Sequence, residues 1–309
     1  VQALTKCQLA GVSAGQVGFG TIDLSGGTLV VTNFTRGGGD GTAIVNFNGG
    51  LLRPVGTSSN FVDSSGNAAV PIVLQVQAGG ARIDTAGANV VINAGLVHQG
   101  ASPDGGLTKL GAGTLVLSGT NTYDGSTLVS AGRLAVPAVC PQSSAFTVAH
   151  QAALAVTLGS AGETLRLPGL TLGQVVGNVV TNELNLGPYG SPVEPVVQAT
   201  NLVVNGTVAV AISGLGLSTG QYPLYRYSTA SGVGPGAFVL ASLPAGVSAS
   251  LVHNAANKTI DLLITAAPSL IWVGQTDNNW DLATANWVDD VTGQNADRKS
   301  TRLNSSHRT

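Results

Sequence analysis

The chain has 309 residues, with 43 glycines, 9% charged side chains and a formal net charge of -2 at pH 7. So few charges exclude a broad basic surface for nucleic acid or anionic lipid, and no apolar run reaches the roughly 18 residues that a membrane helix requires. A hydrophobic fraction of 43% also excludes an intrinsically disordered chain. A large, glycine-rich all-β protein remains.

Paired glycines recur along the first third of the chain, at positions 26–27, 49–50, 79–80 and 105–106. A glycine triplet at 37–39 lies out of this register. A period in the range of about 20–50 residues indicates a solenoid or a propeller, and the alternation in GTLVLSG (113–119) and TVAVAIS (207–213) indicates strands. A propeller would repeat at about 40–45 residues with aromatic signatures, so the pattern favours a parallel β-solenoid. A jelly roll or sandwich stays open for the second half.

The interior of such a solenoid is expected to be narrow. Val, Leu, Ile and Ala fill it, and each fully buried Val, Leu or Ile contributes roughly 1.5–3 kcal/mol. The aromatic content of 5% agrees with the expectation that large rings fit poorly. Charged groups are expected to stay outside as well.

The densest pattern is GGLTKLGAGTLVLSGTNTYDGSTLVSAGRL, residues 105–134. It resembles the autotransporter passenger-associated strand repeat, and Leu128 occupies a free position of that pattern. Residues 46–54 and 79–92 resemble preceding coils, and residues 243–265 resemble the segment that closes such units. The positions that carry the resemblance are Gly105, Gly106, Leu107, Lys109, Gly111, Gly113, Thr114, Leu115, Leu117, Gly119, Asn121, Tyr123, Gly125, Thr127, Val129, Gly132 and Leu134.

The resemblance implies an all-β fold, specifically a right-handed single-stranded parallel β-helix. It also implies a passenger that is secreted or displayed on the surface of a bacterium with an outer membrane, with a structural stalk or adhesin role. No catalytic residue, cofactor or metal is predicted. The expected partner is an unknown surface ligand, a polysaccharide or a host or neighbour-cell component, and not nucleic acid. No membrane span is expected in this fragment, and a translocating β-barrel is expected in a missing C-terminal part.

Four segments are predicted. Residues 1–135 form stacked coils, 136–266 continue the solenoid with longer loops or close it, and 267–296 begin a truncated module. Residues 297–309 are interpreted as a non-native tail of adapter read-through, because DRKSTRLNSSH (297–307) back-translates to a sequencing-library adapter read in frame. The tail is therefore left out of the fold arguments, and the absence of any Met indicates a fragment without its signal peptide.

Residues that could carry chemistry are sparse. His98, His150 and His253 show no metal-ligand spacing, so each is expected to be a lone surface or turn residue. No GxSxG motif indicates a serine nucleophile. Cys7 and Cys140 lie far apart in the chain, and a disulfide between distant coils is not expected.

Six aspartates recur at a period of roughly one coil: Asp23, Asp40, Asp63, Asp84, Asp104 and Asp124. Such a period could stack them in a ladder along one face, which would suit Ca²⁺ or polysaccharide chemistry. The simpler interpretation is that aspartate favours turns and that a repeat places turns periodically. A polysaccharide-acting β-helix enzyme is therefore an alternative to the stalk.

All three tryptophans, Trp272, Trp280 and Trp287, lie in one short segment near the end of the chain. An exposed tryptophan row can stack on sugar rings, which makes a sugar-binding module the third hypothesis. The preferred interpretation is the small core of a further module.

Overall fold

The computed structural model describes residues 7–11, 15–139 and 144–268, together with strands at 270–272, 287–289 and 295–296. Within these residues no helix is long and apolar enough to cross a membrane. The strands of the first coils are β1 (Cys7–Leu9), β2 (Gly20–Leu24), β3 (Thr28–Val31), β4 (Phe34–Arg36), β5 (Ala43–Phe47), β6 (Leu51–Pro54), β7 (Val62–Asp63), β8 (Ile72–Val76), β9 (Ala81–Asp84), β10 (Asn89–Ile92), β11 (Leu96–His98), β12 (Leu107–Leu110) and β13 (Thr114–Leu117). Later strands are β14 (Thr127–Val129), β15 (Arg133–Pro137), β16 (Phe146–Val148), β17 (Ala153–Thr157), β18 (Leu165–Leu172), β19 (Asn178–Asn185), β20 (Val197–Val204), β21 (Gly206–Ser213), β22 (Gly220–Ser231), β23 (Phe238–Ser242), β24 (Ser248–Asn254), β25 (Thr259–Ala266), β26 (Leu270–Trp272), β27 (Trp287–Asp289) and β28 (Asn295–Ala296).

Three sheets run along the first coils. Strands β2, β5, β8 and β11 form a four-stranded sheet, β1, β4 and β7 form a three-stranded sheet, and β3, β6, β9 and β12 begin an eleven-stranded sheet. Within each of these sheets, neighbouring strands come from successive coils and pair in parallel. The predicted parallel β-helix is therefore confirmed over the region on which the prediction depends.

The glycine pairs mark one corner of the coil. Each pair directly precedes a strand of the eleven-stranded sheet, namely β3, β6, β9 or β12. Gly106 has a φ of +68°, and a Cβ there would lie 2.0 Å from the carbonyl oxygen of Ser126 on the next coil. Because only glycine tolerates both conditions, the spacing of the pairs measures the coil length.

The four-stranded sheet ends at β11, where the following coil has a loop, residues 118–126, in place of a strand. The Leu96 N–H donates to the Oδ1 of Asn121 at 3.0 Å, and the Thr122 N–H donates to the Leu96 carbonyl at 2.8 Å. The next coil is therefore shorter. One coil takes the chain from Ala81 to its register partner Leu107, whereas the next takes it only from Leu107 to Thr127.

Two sheets continue beyond this point, the eleven-stranded sheet and a seven-stranded sheet in the order β10-β13-β15-β17-β19-β21-β23. Strands β18 to β21 lengthen to eight residues each. Parallel stacking ends at β22 and β23, because β25 pairs antiparallel with β22 and β24 pairs antiparallel with β25. The described stack thus closes with an antiparallel hairpin.

The interior is aliphatic, but it also holds aromatic rings and one amine. The expectation that large rings and charged groups are excluded is wrong, because Phe47, Tyr123 and Lys109 are fully buried. Phe34 and Phe61 pack edge to face, with centroids 5.4 Å apart. Phe146 and Tyr225 are buried in the later coils as well. The right hand of the coil and the domain boundaries stay predictions.

Candidate functional site

The repeat at residues 105–134 supplies consecutive strands to both long sheets, β12 and β14 to one and β13 and β15 to the other. Its apolar positions point inward, as the alternation indicates, and Thr114 on β13 is half-buried. The five aliphatic side chains of the pattern are at most 1% exposed: Leu107, Leu115, Leu117, Val129 and Leu134. These residues therefore build the core of the repeat.

Lys109 is the buried amine of this repeat, with an exposure of 0%. Its Nζ donates to the carbonyl oxygens of Leu110, Gly111 and Ala131 at 2.9, 2.7 and 3.0 Å. Burial lowers the pKa of Lys109 to about 8, and the negative charge of Asp84 partly offsets this fall. The side chain joins two successive coils at the corner between the two long sheets.

Asn121 and Tyr123 supply buried polar contacts at another corner, and both are 0% exposed. The Nδ2 of Asn121 donates to the carbonyl oxygen of Gly119 at 2.9 Å. The Tyr123 hydroxyl lies 2.7 Å from the Oγ1 of Thr127. These contacts satisfy polar groups that a purely aliphatic interior would leave unpaired.

The glycines of the repeat lie where coils approach closely. A Cβ at Gly113 would lie 1.9 Å from the carbonyl oxygen of Ala88, and one at Gly125 would lie 2.2 Å from that of Asp104. Gly111 and Gly132 have φ values of +76° and +65°. The remaining glycines, Gly105 and Gly119, also face backbone of the preceding coil within 2.5 Å.

His98, Asp104 and Asp124 form a cluster of titratable groups, here called the His98 cluster. The Nδ1 of His98 lies 3.0 Å from the Oδ2 of Asp104 and 3.1 Å from the Oδ1 of Asp124. His98 ends the inward-facing row Leu24–Phe47–Val76 of the four-stranded sheet. The expectation of a lone surface histidine is therefore wrong for His98. The one-coil spacing of the two aspartates was the only signal in the sequence.

Hydrogen bonds shift the pKa values of two members of this cluster. The hydrogen bond with Asp104 is the main cause that raises the pKa of His98 above its ordinary value, and the negative charges of both aspartates add to it. Hydrogen bonds from the Ser102 hydroxyl and the Asp104 N–H lower the pKa of Asp124. The cluster therefore favours one cation and two carboxylates.

The six spaced aspartates do not form one ladder. Asp23 lies on β2 of the four-stranded sheet, Asp63 on β7 of the three-stranded sheet, and Asp84 on β9 of the eleven-stranded sheet. Within this series, contact is found between Asp104 and Asp124, where the Asp104 N–H donates to the Oδ1 of Asp124 at 2.8 Å. A single-face ladder of all six is therefore wrong, because the coil length varies and places Asp23, Asp63 and Asp84 on three different sheets.

Asp84 and Asp40 each form hydrogen bonds with groups outside the aspartate series. Asp84 accepts from the Nη2 of Arg53 at 2.6 Å and from the Ala86 N–H at 2.9 Å. Burial alone would raise the pKa of Asp84, but these hydrogen bonds and the charges of Arg53 and Lys109 bring it below its usual range. Asp40 accepts from the amide of Asn67 at 3.1 Å.

The other two described histidines have partners outside this cluster. The Nδ1 of His150 accepts from the Val179 N–H at 3.0 Å, and the Nε2 of His253 lies 2.7 Å from the Tyr227 hydroxyl. Cys7 is half-buried and free, and burial raises the pKa of its thiol. Cys140 lies outside the described residues.

The tryptophan segment is described only through its strands. Trp272 on β26 and Trp287 on β27 are register partners in an antiparallel pair. Trp280 and the basic tail at 297–309 lie outside the described residues. The sugar-binding hypothesis therefore stays a prediction.

The outer surfaces of both long sheets carry polar contacts between coils. The Nη2 of Arg133 on β15 lies 2.8 Å from the Oε2 of Glu183 on β19, and these two strands flank β17. The Oγ1 of Thr229 lies 3.1 Å from the Oδ1 of Asn201 on the adjacent strand. Such a surface can present repeated polar groups to a partner. The contacts described here join one coil to another.

Two comparisons with known proteins match this chain. The family model described as Passenger-associated-transport-repeat matches residues 107–136. The chain is also 36% identical over 121 residues to the Adhesin BmaC autotransporter of Brucella suis biovar 1 (strain 1330). That match covers 36% of this chain, and the chain spans about 3% of the length of that relative. No solved structure matches.

The family model matches the segment on which the sequence resemblance rests, and that segment forms consecutive strands of a parallel stack. The resemblance predicted from the sequence is therefore confirmed. The chain contains a passenger-associated-transport repeat at residues 107–136 and is similar over about a third of its length to an autotransporter adhesin.

Proposed function

We propose that this chain is part of an adhesin-type passenger and acts as a stiff spacer whose outer surface contacts a partner. The observation that carries this proposal is the unbroken parallel stack from β3 to β22. Nine parallel strands of the eleven-stranded sheet, spaced about 4.8 Å apart, span roughly 40 Å. Hydrogen bonds and core side chains cross every interval between coils, so the segment resists bending.

The family and its named relative support a location on the surface of a bacterium or in its medium. Association with the outer membrane belongs to the proposal, as does the translocating β-barrel in a part of the protein outside this sequence. The adhesin name of the relative supports a role in attachment. The partner we propose is a surface component, either a polysaccharide or a molecule of a host or neighbouring cell.

The same comparison supports a non-enzymatic role. The enzyme hypothesis depended on one aspartate ladder, and Asp23, Asp63 and Asp84 lie on three different sheets. A screen for bond cleavage on polysaccharides, with Asp84→Ala and Asp104→Ala as controls, tests this part of the proposal. The non-enzymatic role would be contradicted if the wild-type chain released products and either substitution abolished that release.

Attachment is tested by displaying the full chain on a non-adherent bacterial host, between an export signal and a translocator. Antibody labelling of intact cells measures the amount displayed. We expect binding to immobilised polysaccharides or host cells above that of the translocator alone. Equal binding at verified display would refute the adhesin role.

A destabilised variant provides the matched control. A Cβ added at Gly113 would lie 1.9 Å from a backbone oxygen, so Gly113→Val disturbs the stack. A Cβ added at Gly26 would meet nothing within 4 Å, so Gly26→Val is the control. If folded coils carry the binding, Gly113→Val reduces adhesion per displayed molecule and Gly26→Val leaves it unchanged. Equal adhesion per displayed molecule in the two variants would indicate that stacking is irrelevant to attachment.

A further inference from the structure

Both ring nitrogens of His98 face oxygen atoms. The Nδ1 lies 3.0 Å from the Oδ2 of Asp104 and 3.1 Å from the Oδ1 of Asp124, and the Nε2 lies 3.1 Å from the carbonyl oxygen of Gly100. A neutral imidazole has one N–H, and only the imidazolium donates from both nitrogens. The imidazolium form of His98 therefore matches these three oxygen acceptors better than either neutral tautomer does.

The two carboxylates join separate parts of the chain. The Asp104 side chain is 0% exposed, and its Oδ1 accepts the N–H groups of Gly106 and Gly125 at 2.8 and 2.9 Å. Its Oδ2 accepts the Asp124 N–H at 3.1 Å. Asp124 in turn accepts the Asp104 N–H. These bonds fasten the loop at 99–106, which follows β11, to residues 118–126 of the next coil.

We propose that the His98 cluster is a pH-responsive clasp that holds the loop after β11 against the next coil and loosens when His98 loses its proton. Deprotonation leaves two carboxylates facing each other without a cation. It also turns an imidazole lone pair toward an oxygen, which is repulsive. This role goes beyond the adhesin function, because it concerns how the four-stranded sheet ends.

The charges around His98 are few. The loop at 99–106 contributes Asp104, the segment at 118–126 contributes Asp124, and strand β8 contributes neither an acid nor a base. The pKa of His98 is raised mainly by its hydrogen bond with Asp104. Asp104 and Asp124 are the described acids within ion-pair distance of the ring, so the charge state of His98 controls the balance.

The raised pKa fixes the sign of the pH dependence. A histidine whose pKa is raised in the closed state stabilises that state fully at pH values below its unfolded-state pKa of about 6.5. This stabilisation is lost as the pH rises through the pKa of the closed state. Between those two values, the equilibrium constant for loop opening rises up to tenfold per pH unit. The lowered pKa of Asp124 acts in the opposite range, because its contribution is lost as pH falls below about 3.9.

The test uses the full chain and follows two signals with pH. An NMR titration of the imidazole carbons gives the pKa of His98, and hydrogen exchange gives the protection factors of the Gly106 and Gly125 amides, corrected for intrinsic rates. We expect His98 to titrate above about 6.5. We also expect both protection factors to fall up to tenfold per pH unit across its titration.

Variants separate titration from simple hydrogen bonding. His98→Gln keeps a donor amide but cannot titrate, so its protection factors should not vary with pH in this range. His150→Gln is the matched control and should keep the wild-type pH dependence. If His98→Gln fails to fold, Asp124→Asn serves instead and should lower the measured pKa of His98.

Three results would overturn the proposal. The first is a pKa of His98 at or below about 6.5, and the second is an unchanged pH dependence in His98→Gln. The third is a shift of the His98 signals on adding stoichiometric Ca²⁺ or Zn²⁺ that a chelator reverses, because the cluster would then be a metal site.

Discussion

Replacing Lys109 by Met tests whether a buried amine stabilises the corner of the repeat. The substitution keeps a long side chain but removes the donors to Leu110, Gly111 and Ala131. The Leu110 carbonyl keeps the Thr85 N–H at 3.0 Å, so two carbonyls lose this donor. Each orphaned carbonyl costs about 1–3 kcal/mol, and burial of the thioether returns about 1–2 kcal/mol. We expect a loss of about 2 kcal/mol in the free energy of unfolding above about pH 10.4, where the amine is neutral in both the folded and the unfolded state.

This difference should grow with pH. The folded pKa of Lys109 is about 8, below the unfolded value of about 10.4, so the folded state loses its proton first. The free energy of unfolding of the wild-type chain therefore rises by up to about 1.4 kcal/mol per pH unit between these two pKa values. The Lys109→Met variant has no amine at this position, so its free energy of unfolding does not rise for this reason. Other titrating groups cancel in the comparison of the two proteins.

Urea unfolding of both proteins at pH 7 and pH 9.5 measures the difference. Lys258→Met is the control, because Lys258 is exposed and its Nζ donates to one carbonyl, that of Ser228. We expect the control to differ from wild type by less than about 0.5 kcal/mol. A Lys109→Met difference that is equal at both pH values, or smaller at pH 9.5, would refute the argument from burial.

Two further substitutions test the packing of the coils by urea unfolding. Gly113→Ala should cost at least about 3 kcal/mol, because its Cβ would meet the Ala88 oxygen at 1.9 Å and backbone must move; Gly26→Ala, in open space, should change stability by less than about 0.5 kcal/mol. Leu115→Ala should cost about 2–5 kcal/mol, since Leu115 is 0% exposed. Val176→Ala, 90% exposed, should be near neutral. Equal effects within either pair would contradict the coil packing described above.

The proposed adhesin role and the proposed clasp depend on different parts of the molecule. Attachment depends on the outer surface of the long sheets, whereas the clasp lies at the corner where the four-stranded sheet ends. A variant such as His98→Gln can therefore lose the pH response and still support attachment. The two proposals fail independently.

The sequence predicted the parallel stack because its signals are local and repeated. Gly106 and its equivalents mark the same corner of each coil, and the alternation around Leu115 identifies the inward face. The Gly-Gly-Leu pattern also identified the family segment that the family model matches. Each of these features depends on neighbours in the chain or on a fixed period.

The sequence did not predict which residues meet across coils of unequal length. The coil that runs from Ala81 to Leu107 is longer than the one that runs from Leu107 to Thr127, so a regular aspartate spacing does not produce a regular ladder. The same change ends the four-stranded sheet at His98 and brings Asp104 and Asp124 to its ring.

The sequence by itself therefore determined the strand period, the inward face, the glycine corners and the family of the repeat. Only the tertiary structure decided that Lys109 and several aromatic rings lie inside, and that three titratable groups from two successive coils meet at one corner. The physical reason is that backbone alternation fixes the direction of each side chain locally. Which residue of the next coil a side chain meets depends on the lengths of the loops between strands. These contacts therefore follow only from the packing of the whole stack.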